Sequence, residues 1–347
     1  MALALTLFAA CKNSKVDDLK DEETHEKVID NTLGDSATMA ENGVSQSESE
    51  QETALQQNED ESYTLRYNLK KGETYPFELK INQEQKVSAM GQSASIKTSR
   101  TVVFDYFVED ISNGQFILRA DFKKFSESFS SPEGTISYDT SGAKPSDKDA
   151  AENWLIYKAI SGQSFQLTMN NKGKVISVKG LDKVISNSMA KLKNDFDEET
   201  RNGIKQMLEF SLSNEAIISQ FEESLNIFPD KGLKIGEKWE DSQNINEGPI
   251  KGQSKVSRTF ESIKDGKATI SVSGTQNVSG SDTDSQSGIT AKMKNNATLT
   301  GSVDLDLETG WIKKAKITKT ENITTTYSQG DRSETETGTQ TIVTTVN

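Results

Sequence analysis

The sequence has one cysteine, Cys11, and one histidine, His25, in 347 residues. A lone cysteine cannot form a disulfide within the chain, and a lone histidine cannot supply a histidine-based metal site. Both residues lie near the N-terminus, so the rest of the chain lacks the histidine that a Ser-His-Asp triad requires. No glycine-rich phosphate loop of the Walker or dinucleotide type is present. We therefore predict a non-enzymatic role with no catalytic residues, no metal and no cofactor.

Positive charge and aromatic residues are scarce over residues 12–61. This stretch holds 15 Asp or Glu and 4 Lys, a net charge of −11 in a chain whose total is −13. Such a segment buries too little apolar surface to offset the entropy of ordering, so we predict a disordered acidic tether over 11–61. The remaining body is close to neutral and lacks the basic charge typical of a nucleic-acid-binding protein.

The N-terminal stretch combines a short apolar run with small residues and the cysteine, in the order MALALTLFAAC. Ala9-Ala10-Cys11 resembles a bacterial lipobox, in which a signal peptidase cuts before the cysteine and the sulfur carries a diacylglycerol. The run is shorter than the about 20 apolar residues that span a bilayer. No Lys or Arg precedes it, and the alternative is a small buried patch with a free thiol. We expect residues 1–10 to be a signal remnant and Cys11 to be the site of lipid attachment.

From residue 62 onward the hydrophobic pattern changes to strict alternation. Apolar residues repeat with a period of two in several segments, which predicts antiparallel hairpins with one apolar face each. A short helix is expected near 147–160, and helical spacing of apolar residues recurs over 181–228. We therefore expect a first β-unit over 62–180, a helical segment over 181–228 and a second β-unit over 229–347.

Short matches recur in the same order in the two β-units. LKKGETY at 69–75 matches LKIGEKW at 233–239, SRT at 99–101 recurs at 257–259, and an Ile-x-x-Gly turn follows at 111–114 and 263–266. Matches in a fixed order favour a duplicated unit. The predicted fold is α+β, mostly antiparallel β, with two related, curved, half-barrel-like β-sheet units and a central helical segment packed on the sheet.

Three segments carry a resemblance to a known family. LRYNLKKGETY (65–75), KGKVISVKGLD (172–182) and NIFPDKGLKIGEKW (226–239) resemble an uncharacterised family of Gram-negative envelope lipoproteins. The resemblance implies a location and a chain organisation, and it implies no activity. At the level of architecture alone, the expected body is similar to half-barrel lipoprotein carriers and to mycobacterial lipid-binding lipoproteins.

Aromatic residues on the alternating face are the candidate lining of a ligand cavity. They are Tyr75, Phe77, Phe104, Tyr106, Phe116 and Phe122. The same alternation fits an ordinary sheet core under the 181–228 helices. Trp239 and Trp311, each near a glycine at a strand start, are candidates for a pocket or for a hairpin anchor, and the anchor is favoured.

Three weaker motifs favour structural interpretations. Ser188 to Lys191 fits an S-x-x-K pattern whose companion motifs are missing. The loop that begins at Asp282 lacks the glycine at the sixth place of a calcium loop and the glutamate at the twelfth place, which is Met293. Asp304, Asp306 and Glu308 form the polar side of an amphipathic strand.

These observations lead to one expected role and two alternatives. We expect a membrane-anchored envelope lipoprotein, placed at the outer membrane with its body in the periplasm or at the cell surface, that binds a lipid or other apolar ligand. One alternative is an envelope scaffold or protein-interaction module with a fully packed core. The other is a hydrolase that uses only carboxylates.

Overall fold

The computed structural model describes residues 53–89 and 92–347, and Cys11 and most of the predicted tether lie outside these residues. Long strands and four helices make up the described chain. The strands before the helical segment are β1 (Leu55–Gln57), β2 (Tyr63–Leu65), β3 (Thr74–Ala89), β4 (Gln92–Ser112), β5 (Gln115–Ser131), β6 (Gly134–Asp139), β7 (Ser164–Asn170) and β8 (Val175–Lys179). The helices are α1 (Lys148–Ile160), α2 (Leu181–Lys191), α3 (Glu198–Ser211) and α4 (Asn214–Leu225). The later strands are β9 (Lys238–Glu247), β10 (Ile250–Lys264), β11 (Lys267–Thr283), β12 (Thr290–Asp306), β13 (Ile312–Gln329) and β14 (Arg332–Val346).

Twelve strands form one open antiparallel sheet in the order β8-β7-β5-β4-β3-β14-β13-β12-β11-β10-β9, with β6 paired to the end of β5. The prediction of a mostly antiparallel α+β fold is confirmed. The sheet is continuous because the last strand, β14, pairs with β3, which places Val346 opposite Leu79. This pairing satisfies the backbone groups that two separate sheets would each leave at an edge.

The ordered body begins before residue 62, which corrects the expected end of the tether. Strand β1 pairs with β2, and Leu55 lies opposite Leu65. The Ala54 N–H donates to the Glu308 carbonyl at 3.0 Å, and the Ala54 side chain is buried. The acidic composition of residues 12–61 gives no sign of this contact, because only two apolar residues, Ala54 and Leu55, make it.

Helices α1, α3 and α4 begin at capping residues whose side chains accept from an N–H group of the first turn. Asp147 accepts from the Ala150 N–H at 2.9 Å, Asp197 from Thr200 at 2.8 Å, and the Ser213 hydroxyl from Ala216 at 3.2 Å. The helices pack near one end of the sheet, with α1 against β6 and α4 against β8. They therefore cover β5, β7 and β8, and through Phe221 also β4, more fully than they cover β10 to β13.

One hydrogen-bond pattern occurs at the start of both β-units. The Gly72 N–H donates to the Val108 carbonyl at 2.9 Å, and the Val108 N–H donates to Glu73 at 3.0 Å. The Gly236 N–H donates to Phe260 at 2.7 Å, and the Phe260 N–H donates to Glu237 at 3.0 Å. A register shift follows at once in each copy, after Val108 and after Phe260.

This pattern corrects one of the sequence matches. Arg258 lies two residues before Phe260, so its counterpart is Tyr106, two residues before Val108. The register agrees, since Tyr106 pairs with Tyr75 and Arg258 pairs with Trp239. The SRT match is therefore out of register, because Arg100 pairs with Ile81, further along the same strands.

Candidate functional site

The six aromatic candidates from the sequence lie in a packed core. All are buried: Tyr75, Phe77, Phe104, Tyr106, Phe116 and Phe122. The ring centroid of Phe221 in α4 lies 5.8 Å from that of Phe104 and 5.7 Å from that of Tyr106. The ring centroid of Trp311 lies 5.4 Å from that of Tyr106. None of the six lines the apolar pocket described next. These contacts favour the alternative of an ordinary sheet core, because Phe221 packs on Phe104 and Tyr106 while Trp311 packs on Tyr75 and Phe77.

An apolar pocket of about 100 Å³ lies beside the second half of the sheet instead. Its wall comes from six strands and from the end of α4 with the residues that follow. The apolar lining residues are Leu79, Ile227, Val256, Ile270, Val272, Leu299, Val303, Ile312, Ala315, Ile317 and Val346. The polar lining residues are Ser224, Arg258 and Thr344. The pocket is smaller than typical ligand sites of about 300–1,000 Å³. It is comparable to an engineered cavity of about 150 Å³ that binds benzene.

Arg258 is the one charged residue in the pocket lining. Its side chain is only 7% exposed, whereas Asp241, which accepts a hydrogen bond from Arg258 Nη1, is 67% exposed. The guanidinium has five N–H donors, and one of the two at Nη1 donates to Asp241. The arginine therefore brings hydrogen-bond donors and positive charge to an apolar wall, with its counter-ion at the surface.

Several strand positions on the sheet face that lines the pocket are glycines and carry no side chain. Strand glycines on the same face as the lining residues are Gly252, Gly274, Gly280, Gly301 and Gly338. A Cβ atom at Gly301 would lie 2.2 Å from the Lys316 carbonyl oxygen. Glycines inside strands are typical of tight bends and close backbone approach. The row of glycines therefore favours bending of the sheet around the pocket.

A polar cluster adjoins the pocket along the same sheet face. Lys319 Nζ and Glu321 Oε1 form an ion pair at 2.7 Å, with both side chains under 10% exposed at 8% and 9%. Asn295 Nδ2 donates to Glu321 Oε1 at 3.3 Å. Ser254 and Gln276 are also buried, and Gln276 Oε1 has no hydrogen-bond partner among the described residues. A second, smaller pocket here shares Val256 and Leu299 with the apolar one, so polar and apolar regions meet.

The three family-like segments meet at a junction below the pocket. Arg66 Nη1 donates to the Pro229 carbonyl at 2.8 Å, and the Tyr67 hydroxyl donates to the Leu225 carbonyl at 3.0 Å. Gly173 has a φ of +88°, and a Cβ atom there would lie 2.0 Å from the Leu225 carbonyl oxygen. These contacts hold the end of α4, and hence Ile227, against the sheet. The motifs thus have a structural role that positions one wall of the pocket.

Two of the weaker motifs have structural explanations. Ser188 is fully buried, and its hydroxyl donates to the Val184 carbonyl at 2.8 Å. Lys191 Nζ donates to the Ala159 carbonyl at 2.8 Å, which gives this lysine a structural partner on α1. In the 282–288 loop, Asp284 Oδ1 accepts from the Gln286 and Ser287 N–H groups, as in an Asx turn. Within residues 53–89 and 92–347, no group of three His, Cys, Asp or Glu side chains could hold a metal ion.

The strand carboxylates are paired with lysines on the polar face. Lys267 donates to Asp304 at 2.6 Å, and Lys313 lies 2.7 Å from Asp306. Burial opposes ionisation of Asp304, but hydrogen bonds from Lys267 and Thr269 outweigh it, so the pKa of Asp304 is lowered. A lowered pKa is the opposite of what a carboxylic acid needs as a proton donor near neutral pH.

Of the two candidate tryptophans, Trp239 and Trp311, Trp311 has the role of a hairpin anchor. Its Nε1 donates to the Pro76 carbonyl at 3.0 Å.

The sequence reasoning missed Arg258 and the pocket residues of β10 to β14. The signal that could have located them is the alternation of apolar and small residues in these strands, read together with the match of LKKGETY to LKIGEKW. Arg258 is charged at a position that corresponds to the aromatic Tyr106 of the first hairpin, and this difference marks a change in the environment of that face. Among the helices that the structure describes, none is both long and apolar enough to cross a membrane.

The comparisons with known proteins give one clear match. The model of a family of unknown function, DUF6263, matches residues 113–312. No curated protein matches the chain. Among solved structures, a mutant porin of Rh. blastica is 10% identical, with a TM-score of 0.18, over 79% of this chain and 100% of that one. Salmonella typhi OmpF in complex with daunomycin is 5% identical, with a TM-score of 0.22, over 81% and 100%. TM-scores this low carry no structural or functional argument.

Proposed function

The chain belongs to DUF6263, a family of unknown function, and we propose that it binds the apolar chain of a lipid or similar ligand between its sheet and helices. The observation that carries this proposal is the pocket, whose lining is almost wholly aliphatic and spans six strands. Aliphatic walls with few polar groups are typical of ligand sites. The pocket volume of about 100 Å³ fits a segment of an acyl chain and not a whole lipid.

The proposed setting is the cell envelope. Cys11 would carry a lipid anchor in the outer membrane, and the following acidic stretch would let the body reach a ligand away from the anchor. The support is the sequence pattern around Cys11 and the resemblance of the three motifs to envelope lipoproteins. In this setting the two curved β-units would act together as one half-barrel-like cradle, and the role would be binding without catalysis.

A second candidate function is protein interaction at a sheet edge. Among the described strands, β9 occupies one end of the sheet and pairs only with β10. An unpaired edge can accept a strand from a partner protein, because its backbone donors and acceptors are free to pair. This function would make the chain an envelope scaffold, and it requires no ligand in the pocket.

Native mass spectrometry of the full chain tests the proposal directly. The chain would carry Cys11→Ser, which removes the proposed acylation site, and would be purified from cells without detergent. We expect a reproducible extra mass that organic extraction removes and identifies as a lipid. A clean apo mass that does not change when decanoate or phospholipid is added would reject the carrier function and leave the edge-pairing function as the one to pursue.

A further inference from the structure

We propose that the pocket selects an amphiphile with an anionic head group, a carboxylate or a phosphate, and that Arg258 binds this head. The inference rests on the proposed function, because it specifies the ligand of the same pocket. Its basis is the juxtaposition of one buried guanidinium with an otherwise uncharged, mainly aliphatic lining.

A buried guanidinium in an aliphatic wall is unfavourable unless an anion and hydrogen-bond acceptors compensate for its lost hydration. Asp241 supplies only part of this compensation. It contacts Nη1, and its own side chain is 67% exposed while that of Arg258 is 7% exposed. A rim carboxylate of this kind can turn into solvent at little cost, whereas the arginine cannot follow it. An anionic ligand head can therefore share or replace Asp241.

The positive charge of the pocket lining favours a ligand whose head group is negatively charged. Arg258 is the only charged side chain in the lining, and the polar residues Ser224 and Thr344 are neutral. The Lys319–Glu321 pair in the adjoining cluster is internally neutralised at 2.7 Å. An anion at the guanidinium would gain charge-assisted hydrogen bonds, and its apolar chain would contact residues such as Val272 and Ile317. A cationic head would meet Arg258 with like charge.

The duplicated hairpin offers an internal comparison. In the first hairpin the corresponding position is Tyr106, which is fully buried. Its ring centroid lies 5.7 Å from that of Phe221 in α4. In the second copy the space above the equivalent position is the pocket. The chain therefore places an arginine where α4 leaves a space against this face of the sheet. A purely structural position would be expected to carry another aromatic or aliphatic residue.

Three ten-carbon probes with the same chain test the inference. The full chain with Cys11→Ser is titrated with decanoate, decyl phosphate and 1-decanol by calorimetry, below the concentrations at which the probes aggregate. A hydrogen bond to a charged group contributes about 1.5–3 kcal/mol, so we expect at least one of the anions to bind about 10- to 100-fold more tightly than the alcohol. Preference for decanoate would indicate a fatty acid, and preference for decyl phosphate a phospholipid head.

Variants of the ion pair separate charge from folding. Arg258→Met keeps most of the apolar stem and should lower anion affinity to that of 1-decanol, while Arg258→Lys should keep part of the preference. Asp241→Asn lies at the exposed rim and should raise anion affinity several-fold, because it removes the internal competitor. This second variant keeps the test informative if Arg258→Met folds poorly.

The possible failures are distinguishable. Equal binding of all three probes, unchanged in Arg258→Met and Asp241→Asn, would overturn the role of Arg258 and leave the pocket as a site for uncharged apolar ligands. Binding of none of the three probes would overturn this inference together with the proposed carrier function.

Discussion

Tyr106 and Arg258 occupy corresponding positions in two hairpins that share one hydrogen-bond pattern, and Tyr106 packs against a ring of α4 whereas Arg258 borders the pocket. Tyr106 lies opposite Tyr75 across β3 and β4, and Arg258 lies opposite Trp239 across β9 and β10. The ring of Phe221 covers Tyr106, whereas the face beside Arg258 borders the pocket. One half of the sheet thus has a packed core, and the other half has a space that a ligand can fill.

Filling the pocket should abolish ligand binding while the fold persists. Ala315 is buried in the pocket lining, so Ala315→Phe would project a ring into the space. We expect at least a tenfold loss of affinity for a decyl probe, measured by calorimetry, and a destabilisation of about 1–3 kcal/mol from overpacking.

Phe104→Ala is the matched control in the packed core. Truncating this buried ring should cost about 3–5 kcal/mol of unfolding free energy in urea titrations. Affinity per folded molecule should change little, because Phe104 does not line the pocket. If Phe104→Ala removed binding and Ala315→Phe did not, the ligand site would lie on the aromatic face instead.

A glycine in the family-like segment 172–182 should tolerate no side chain. Gly173 has a φ of +88°, and an added Cβ would lie 2.0 Å from the Leu225 carbonyl oxygen. Backbone strain and backbone displacement would act together, so we expect Gly173→Ala to lower stability by more than about 2 kcal/mol, measured as the urea midpoint. Gly203→Ala is the control, since that helical glycine has nothing within 4 Å of the added atom. The control should gain about 0.5–1 kcal/mol, and an equal response of both variants would contradict the assigned close contact.

Local patterns in the sequence explain much of the fold. The period of two at Tyr75 and Phe77 predicts a strand, and β3 covers both residues. Asp197 with the acidic residues after it indicates a helix start, and α3 begins at Glu198. Such signals depend on neighbouring residues, which the sequence displays directly. The pairing of β14 with β3 depends on residues far apart in the chain, so the single continuous sheet could not be read from local pattern.

The candidate site was harder to predict for a related reason. An aromatic on an alternating face is compatible with a packed core and with a cavity, and the choice depends on where α4 lies. At Tyr106 the choice is decided by Phe221 of α4, whose ring centroid lies 5.7 Å from the ring centroid of Tyr106. Arg258 looked like part of a repeated SRT segment, although the hairpin hydrogen bonds place it opposite Trp239. The register of strand pairing determines which residues of the two hairpins correspond, and short sequence matches do not reveal that register.

Two neighbouring buried tyrosines should respond in opposite directions to loss of the hydroxyl. The Tyr67 hydroxyl donates to the Leu225 carbonyl at 3.0 Å, and the Ile227 N–H donates to the same carbonyl at 2.9 Å. Tyr67→Phe should therefore cost about 0.5–1.5 kcal/mol, because it removes one of these two hydrogen bonds. The Tyr106 hydroxyl is buried with no hydrogen-bond partner among the described residues. Tyr106→Phe should therefore be neutral or stabilising by up to about 1 kcal/mol in urea unfolding. A clear loss of stability in Tyr106→Phe would reveal a partner, such as a buried water.

The buried tyrosines should make the fold sensitive to alkali. Burial raises the pKa of Tyr67, Tyr106 and Tyr157 above the ordinary value of about 10. Below pH 10 both folded and unfolded chains keep these phenols protonated, so their contribution is constant. Above pH 10 the unfolded chain loses protons that the folded chain retains, and the free energy of unfolding falls by up to about 1.4 kcal/mol per pH unit for each tyrosine.

Urea unfolding at pH 8, 9, 10 and 11 measures this slope, and Tyr106→Phe isolates one tyrosine from the lysines that titrate in the same range. The variant removes a proton that only the unfolded chain releases, so its stability should fall less steeply above pH 10 than that of the parent. The two curves should run parallel below pH 9 and separate by up to about 1.4 kcal/mol by pH 11. Parallel curves throughout would mean that the Tyr106 phenol ionises as readily in the folded chain as in the unfolded one. That result would place solvent beside Tyr106, in the half of the sheet that α4 and Trp311 otherwise fill.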